Sequence, residues 1–139
     1  MLGNVKRKES QMELALTQPQ RSVRRLAYGA LALALLAFVV VEVVKHTIGF
    51  WQLAAFGVGP DLALLLGAGA GLARGQLHPR AVPTYNALHR FWGPLGLLIV
   101  AVTVLPLGYF VGALAWAFHV ALDRAVGYGL RTSDGFQRA

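Results

Sequence analysis

Four ionisable side chains fall within apolar stretches of this sequence: Asp61, His89, His119 and Asp123. Imidazole nitrogens and carboxylate oxygens together form a hard-to-borderline donor set suited to zinc, manganese or iron. A divalent metal held by these four would activate water for hydrolysis, and the same side chains are candidates for acid–base work. His119 and Asp123 are four residues apart, which puts both on one face of a helix. Tyr85, Asn86 and His89 follow the spacing i, i+1, i+4, so Tyr85 and His89 share a face with Asn86 beside it. A competing reading needs no metal, because His–Asp pairs in helix bundles also hydrogen-bond across helices and fix their packing.

These residues have to be carried by elements that cross a membrane. The chain has 139 residues, of which 56% are hydrophobic and 14% charged. A soluble domain this small cannot hide that much apolar surface. Four segments approach the roughly 20 residues needed to cross about 30 Å of hydrocarbon: 26–46, 50–72, 85–105 and 107–126. The fold class expected is therefore all-α, an integral membrane bundle of four transmembrane helices with the lipid bilayer as its partner. Residues 1–25 read as a mobile polar basic cytoplasmic tail that can be partly helical, 26–130 as the transmembrane domain and 131–139 as a short cytoplasmic C-terminal tail.

The net charge of +7 does not point to nucleic acid, because Lys and Arg gather at the ends of the apolar segments and not along one polar face. The N-terminal tail, the loop with Arg74, Arg80 and Arg90, and the C-terminal end with Arg124, Arg131 and Arg138 carry them, against Lys45 alone on the opposite side. Both termini should face the cytoplasm. The absence of cysteine excludes disulfides, thiolate metal sites and cysteine catalysis. The first span has no cleavage signal after it and is expected to remain as a helix.

Depth along the helices tests which candidates can meet. At about 1.5 Å per residue, His89 lies roughly 6 Å inside the third span, and His119 and Asp123 lie roughly 10 and 4 Å from the end of the fourth. Those three fall at similar depth near the cytoplasmic face. Asp61 would lie about 20 Å from Arg74 along an unbroken helix, too deep to join them, unless Gly67, Gly69 and Gly71 end that helix early. Arg124, next to Asp123, should point away from it and reach a phosphate or lipid headgroup. Tyr85, Asn86 and Tyr128 are supporting polar residues. Glu42, Lys45 and His46 read as a local ion pair, and His78 as a solvated loop residue.

The last third, His119-x-x-x-Asp123-Arg124-x-x-Gly127-Tyr128-Gly129-Leu130-Arg131 followed by Gly135-Phe136, resembles the bacterial membrane family known as domain of unknown function 4260. Trp51, Pro60-Asp61-Leu62 and Tyr85-Asn86-x-x-His89 match its earlier steps, and the resemblance extends over about residues 24–136. It implies a small four-helix protein of the bacterial cytoplasmic (inner) membrane and is silent on activity. This chain departs from the family in its long basic tail, in a longer loop around Gly75 to His78, and in Tyr28, where many members place an acid. The order Pro-Asp, His, His-x-x-x-Asp is also similar, more thinly, to bacterial inner-membrane proteins described as metal-dependent hydrolases. That similarity implies only a metal site.

Three functional expectations follow. The first is a metal-dependent hydrolase-like activity on a lipid or membrane-associated substrate, with Asp61, His89, His119 and Asp123 as ligands or acid–base groups and Arg124 on a phosphate. The second is a small proton-coupled carrier, for which four helices would require a homodimer. The third is a non-catalytic membrane component whose polar residues lock the bundle or hold a partner.

Overall fold

The computed structural model describes residues 2–138, with side chains described for Lys6, Arg7, Met12 and from Pro19 onward. The chain is all-α. Helix α1 (Leu2–His46) is followed by α2 (Phe50–Val58), a 3-10 turn (Gly59–Asp61) and α3 (Leu62–Leu66). A second 3-10 turn (Pro79–Ala81) leads into α4 (Val82–Leu88), then α5 (Trp92–Thr103) and α6 (Leu107–Val126).

Helix α6 is the centre of the molecule, and α1, α2 and α5 all pack against it. Its small residues explain why. A Cβ at Gly108 or Gly112 would run into Gln52 and Phe56 of α2, so the two glycines, four apart, let α2 lie close along α6. Val111 and Leu114 meet Val39 of α1 in a buried apolar cluster. The turn from α1 to α2 uses Gly49 at φ 84°, against the side chain of Val111.

Helix α1 is continuous from Leu2, so the segment expected as a mobile tail is helical up to the first span. Residues 2–18 are rich in Lys, Glu, Gln, Leu and Ala, all good helix formers, and Pro19 removes one internal hydrogen bond without ending the helix. The end of α1 at His46 falls where the hydropathy pattern puts it, and Glu42 lies 3.4 Å from His46 as its spacing predicts.

Among the described residues, the stretch Pro19–His46 is the one helix long and apolar enough to cross a membrane by length and composition. Helix α6 matches 107–126 at both ends but carries His119, Asp123 and Arg124. The second span is broken by the 3-10 turn at Gly59–Pro60–Asp61 and stops at Leu66, not near residue 72. The side chains of Leu77 and Ala81 occupy the space where a Cβ of residue 67 would go, and the chain turns there. The third span is broken between Leu88 and Trp92. Pro94 has no N–H to give to the carbonyl of residue 90, which weakens a helix running through this point, and the break between α4 and α5 falls there.

After α6, Gly127 at φ 98° reverses the chain, and residues 128–138 fold back beneath the 67–78 loop. The Gly135 carbonyl accepts from the Leu77 N–H (3.0 Å) and from the Arg131 guanidinium (2.8 Å), while Arg131 and Gln137 form an isolated bridge. The loop and the C-terminal segment thus close one end of the bundle, and the candidate site lies just above them.

Candidate metal centre

Two of the four candidate residues reach the site because an element ends or tightens beside them, and the other two stand on one face of a continuous helix. Asp61 closes the 3-10 turn between α2 and α3. His89 is the C-terminal cap of α4, at the break that precedes α5. His119 and Asp123 stand one turn apart on α6. The early stop at Gly67 is the condition under which Asp61 could join the other three, and Asp61 does join them.

One ligand atom from each of the four lies within 4.8 Å of all the others. His89 Nε2 is 3.3 Å from His119 Nε2, 3.4 Å from Asp61 Oδ1 and 3.5 Å from Asp123 Oδ2. His119 Nε2 is 3.6 Å from Asp61 Oδ1 and 3.8 Å from Asp123 Oδ2. Atoms bound about 2.1 Å from a tetrahedral centre stand about 3.4 Å apart, so these separations leave room for one cation. Burial is graded: the side chain of His89 is fully enclosed, those of His119 and Asp123 nearly so, and that of Asp61 is 46% exposed.

The far side of each imidazole decides its chemistry. His89 Nδ1 is 2.8 Å from the Tyr85 carbonyl, and His119 Nδ1 is 2.9 Å from the Gly57 carbonyl. A carbonyl oxygen only accepts, so each Nδ1 carries the proton and donates it. In the neutral rings, both Nε2 atoms then point bare lone pairs into the space that the two carboxylate oxygens also face. Four acceptors converge with no donor among them, an arrangement that repels unless a cation or an extra proton sits between them. A backbone carbonyl that fixes the tautomer of a ligating histidine is also the usual support for a metal site.

The surroundings hold the rings in place. Tyr85 stacks on His89 with centroids 3.9 Å apart and planes within 17°, and the Arg131 guanidinium lies over the Tyr85 ring, 4.9 Å from its centroid. The break after α4 would leave its last carbonyls without helical partners. Leu88 instead accepts from the Trp116 indole N–H (2.7 Å) and His89 from Arg124 Nη2 (2.7 Å). Asn86 pairs with the backbone of Arg131 in both directions, donating to its carbonyl (2.9 Å) and accepting its N–H (2.7 Å).

The supporting residues therefore do more than their types alone disclosed. Tyr85 and Asn86 link the site to the C-terminal segment, and Tyr128 contributes its carbonyl, which accepts from Arg124 Nη1 (2.9 Å), while its ring is exposed. Arg124 spans the carbonyls of His89 and Tyr128, so part of its guanidinium is bound within the chain and does not simply reach outward. Sequence reasoning missed three contributors: Gly57 through its carbonyl, Trp116, and Arg131 as the ring clamp. Trp116 had one readable signal, its place three residues before His119 on the face that also holds Asp123. Gly57 and Arg131 act through contacts distant in sequence and gave none.

The family model described as Domain of unknown function (DUF4260) matches residues 25–139. No curated protein and no solved structure matches the chain.

Proposed function

We infer that this chain, which belongs to the DUF4260 family, binds one divalent cation between Asp61, His89, His119 and Asp123 at one end of a membrane-embedded helix bundle, and uses it for hydrolysis of a lipid or membrane-associated substrate. The observation that carries the reading is the convergence of two imidazole lone pairs and two carboxylate oxygens on one point, with both Nδ1 protons committed to backbone carbonyls. Two nitrogens and two oxygens suit zinc, manganese or iron. A cation bound there would lower the pKa of a coordinated water and polarise an ester or phosphoryl oxygen. His89 and His119 fix its position, Asp123 adds charge from a largely enclosed side, and Asp61 stands where a substrate can approach.

Membrane placement is supported by the surface. Leu33, Phe38, Val41 and Val44 of α1, Ile99 and Val102 of α5 and Val104 just after it are more than half exposed, a broad apolar girdle that water does not favour. In a four-span arrangement with both termini cytoplasmic, lipid covers these residues and the basic end carrying Arg74, Arg80 and Arg131 faces the cytoplasm of a bacterial cell. The interrupted second and third spans are tolerated because their irregular backbone lies against the site and not against lipid.

A second reading has one observation in its favour. The 3.3 Å between the two Nε2 atoms would also accommodate a shared proton, making the cluster a metal-free lock of the bundle. Elemental analysis of the detergent-purified protein separates the two. The metal reading expects about one zinc, manganese or iron per chain, lost in His119→Ala; a wild-type protein without stoichiometric metal leaves the lock.

A further inference from the structure

At the basic end of the bundle, beside the metal centre and separate from it, a cavity of about 230 Å³ opens between the start of the apolar part of α1 and the end of α6. Five arginines line it: Arg21, Arg24 and Arg25 from α1, Arg124 from α6 and Arg138 from the C-terminal segment. Among the described residues, the ion pairs formed are all between histidines and carboxylates, and none involves these arginines. Two features of the backbone hold the cationic groups together. Gly127 lacks a side chain where a Cβ would strike the Arg25 guanidinium, and Arg124 is fixed by the carbonyls of His89 and Tyr128. So many like charges around one cavity repel each other unless an anion joins them, and planar guanidinium groups match phosphate oxygens two at a time.

A second cavity, of about 620 Å³, shares Arg25 with the first and follows the seam between α1 and α6. Its lining beyond Arg25 is apolar, from Leu26, Leu33 and Leu36 on α1 to Phe118 and Leu122 on α6, with Gly29 among them. From Arg25 to Leu36 the seam runs about 16 Å, the reach of one acyl chain. A polar mouth that gathers positive charge therefore continues into an apolar slot, which is the shape of an amphiphile and not of a free ion.

We propose that this composite cavity binds one anionic phospholipid, its headgroup phosphate among Arg24, Arg25 and Arg124 and one acyl chain along the α1–α6 seam beside Gly29. The proposal rests on the membrane placement inferred above but not on the metal. Arg124 joins the two sites, since the guanidinium that borders the lipid phosphate also holds the carbonyl of the metal-facing His89.

The test is native mass spectrometry of the full-length protein in detergent, titrated with phosphatidylglycerol, phosphatidylcholine or inorganic phosphate, with metal content measured on the same samples. The proposal expects a single phosphatidylglycerol adduct, preferred over phosphatidylcholine and not displaced by millimolar phosphate. In Arg24→Gln/Arg25→Gln binding should weaken on the order of thirtyfold, about fivefold per arginine. A Cβ at Gly29 meets only Ala125 at 3.9 Å, so Gly29→Leu enters the slot without a backbone clash and should weaken the lipid adduct while leaving phosphate binding alone. Equal binding of the two lipids, displacement by free phosphate, or indifference to Gly29→Leu would each overturn it. A lipid-free dimer abolished by Gly29→Leu would do the same, assigning the seam to a second copy of the chain. Metal retained in both variants shows that the metal centre stands whatever the lipid result, and a protein that stays monodisperse without detergent would instead remove the membrane placement itself.

Discussion

His89 and His119 face each other across 3.3 Å with their Nε2 atoms, although they come from the end of one helix and the middle of another, thirty residues apart in sequence. Each ring is held from behind by a backbone carbonyl close to a place where a helix changes form, and the Tyr85 carbonyl accepts from the His89 backbone N–H as well as from its ring. Gly57 lies just before the 3-10 turn that ends in Asp61, and Tyr85 lies one turn before α4 stops. The two irregularities that interrupt the second and third spans are thus what aims the two lone pairs at one point.

Cation binding to the folded state should stabilise it. Protein stripped with chelator and then given zinc at about a thousand times its dissociation constant gains about 4 kcal/mol. Thermal unfolding in detergent should move upward on zinc addition in the unmutated protein and stay put in His119→Ala. A melting curve of the unmutated protein that ignores zinc, manganese and iron alike would leave the cluster without a ligand.

Trp116 supports the site without touching it, through the hydrogen bond from its indole to the Leu88 carbonyl at the break after α4. Trp116→Phe keeps most of the ring but leaves that carbonyl unpartnered, at a cost of about 1–3 kcal/mol. The same change lets His89 drift, so metal affinity should fall about ten- to a hundredfold, as is usual when an outer partner of a ligand is lost. Affinity measured by competition with a chromogenic chelator checks it; an affinity unchanged within twofold would show that Trp116 only fills space.

Asn86 acts on the C-terminal segment. Its amide makes both hydrogen bonds to the backbone of Arg131, and Arg131 in turn covers Tyr85 and ties the segment to Gly75 and Gly135. Asn86→Ala removes the two bonds and should cost about 1–3 kcal/mol. Limited proteolysis should then cut within 128–138 faster than in the unmutated chain, with the helices still protected. Equal cutting rates would mean that the bonds to Gly75 and Gly135 suffice.

Helix α6 was legible in the sequence to both of its ends, because an apolar run of the right length stands between Pro106 and Gly127. The i, i+4 pairing of His119 with Asp123 and of Tyr85 with His89 was legible for the same reason, helical geometry over a single turn. Asp61 could be placed only conditionally. Whether Gly67 ends a helix depends on Leu77 and Ala81 packing against it, a contact made across the loop and invisible in the local composition. The break at His89 was readable in principle from Pro94 and from the polar step His89-Arg90, but a span drawn over 85–105 runs across it. The helix neighbours of Arg124 carry no sign of its partners, which are two carbonyls exposed where helices end.

The four-span placement makes a prediction that the composition renders easy to read. The sequence has no cysteine, so a single introduced thiol reports its own position without background. Gln20 and Ser133 are exposed at the basic end, and Thr47 and Val104 are exposed at the two turns of the opposite end. If both termini are cytoplasmic, Thr47→Cys and Val104→Cys in intact cells are blocked by a membrane-impermeant maleimide. Gln20→Cys and Ser133→Cys react only once the membrane is opened. Labelling of Val104→Cys and Thr47→Cys from different sides would mean that α5 and α6 do not form a pair of spans. The buried His89 would then lie at the surface of the bilayer and not within it, and the second and third helical segments would have to be reassigned as an interfacial layer against a single span, α1.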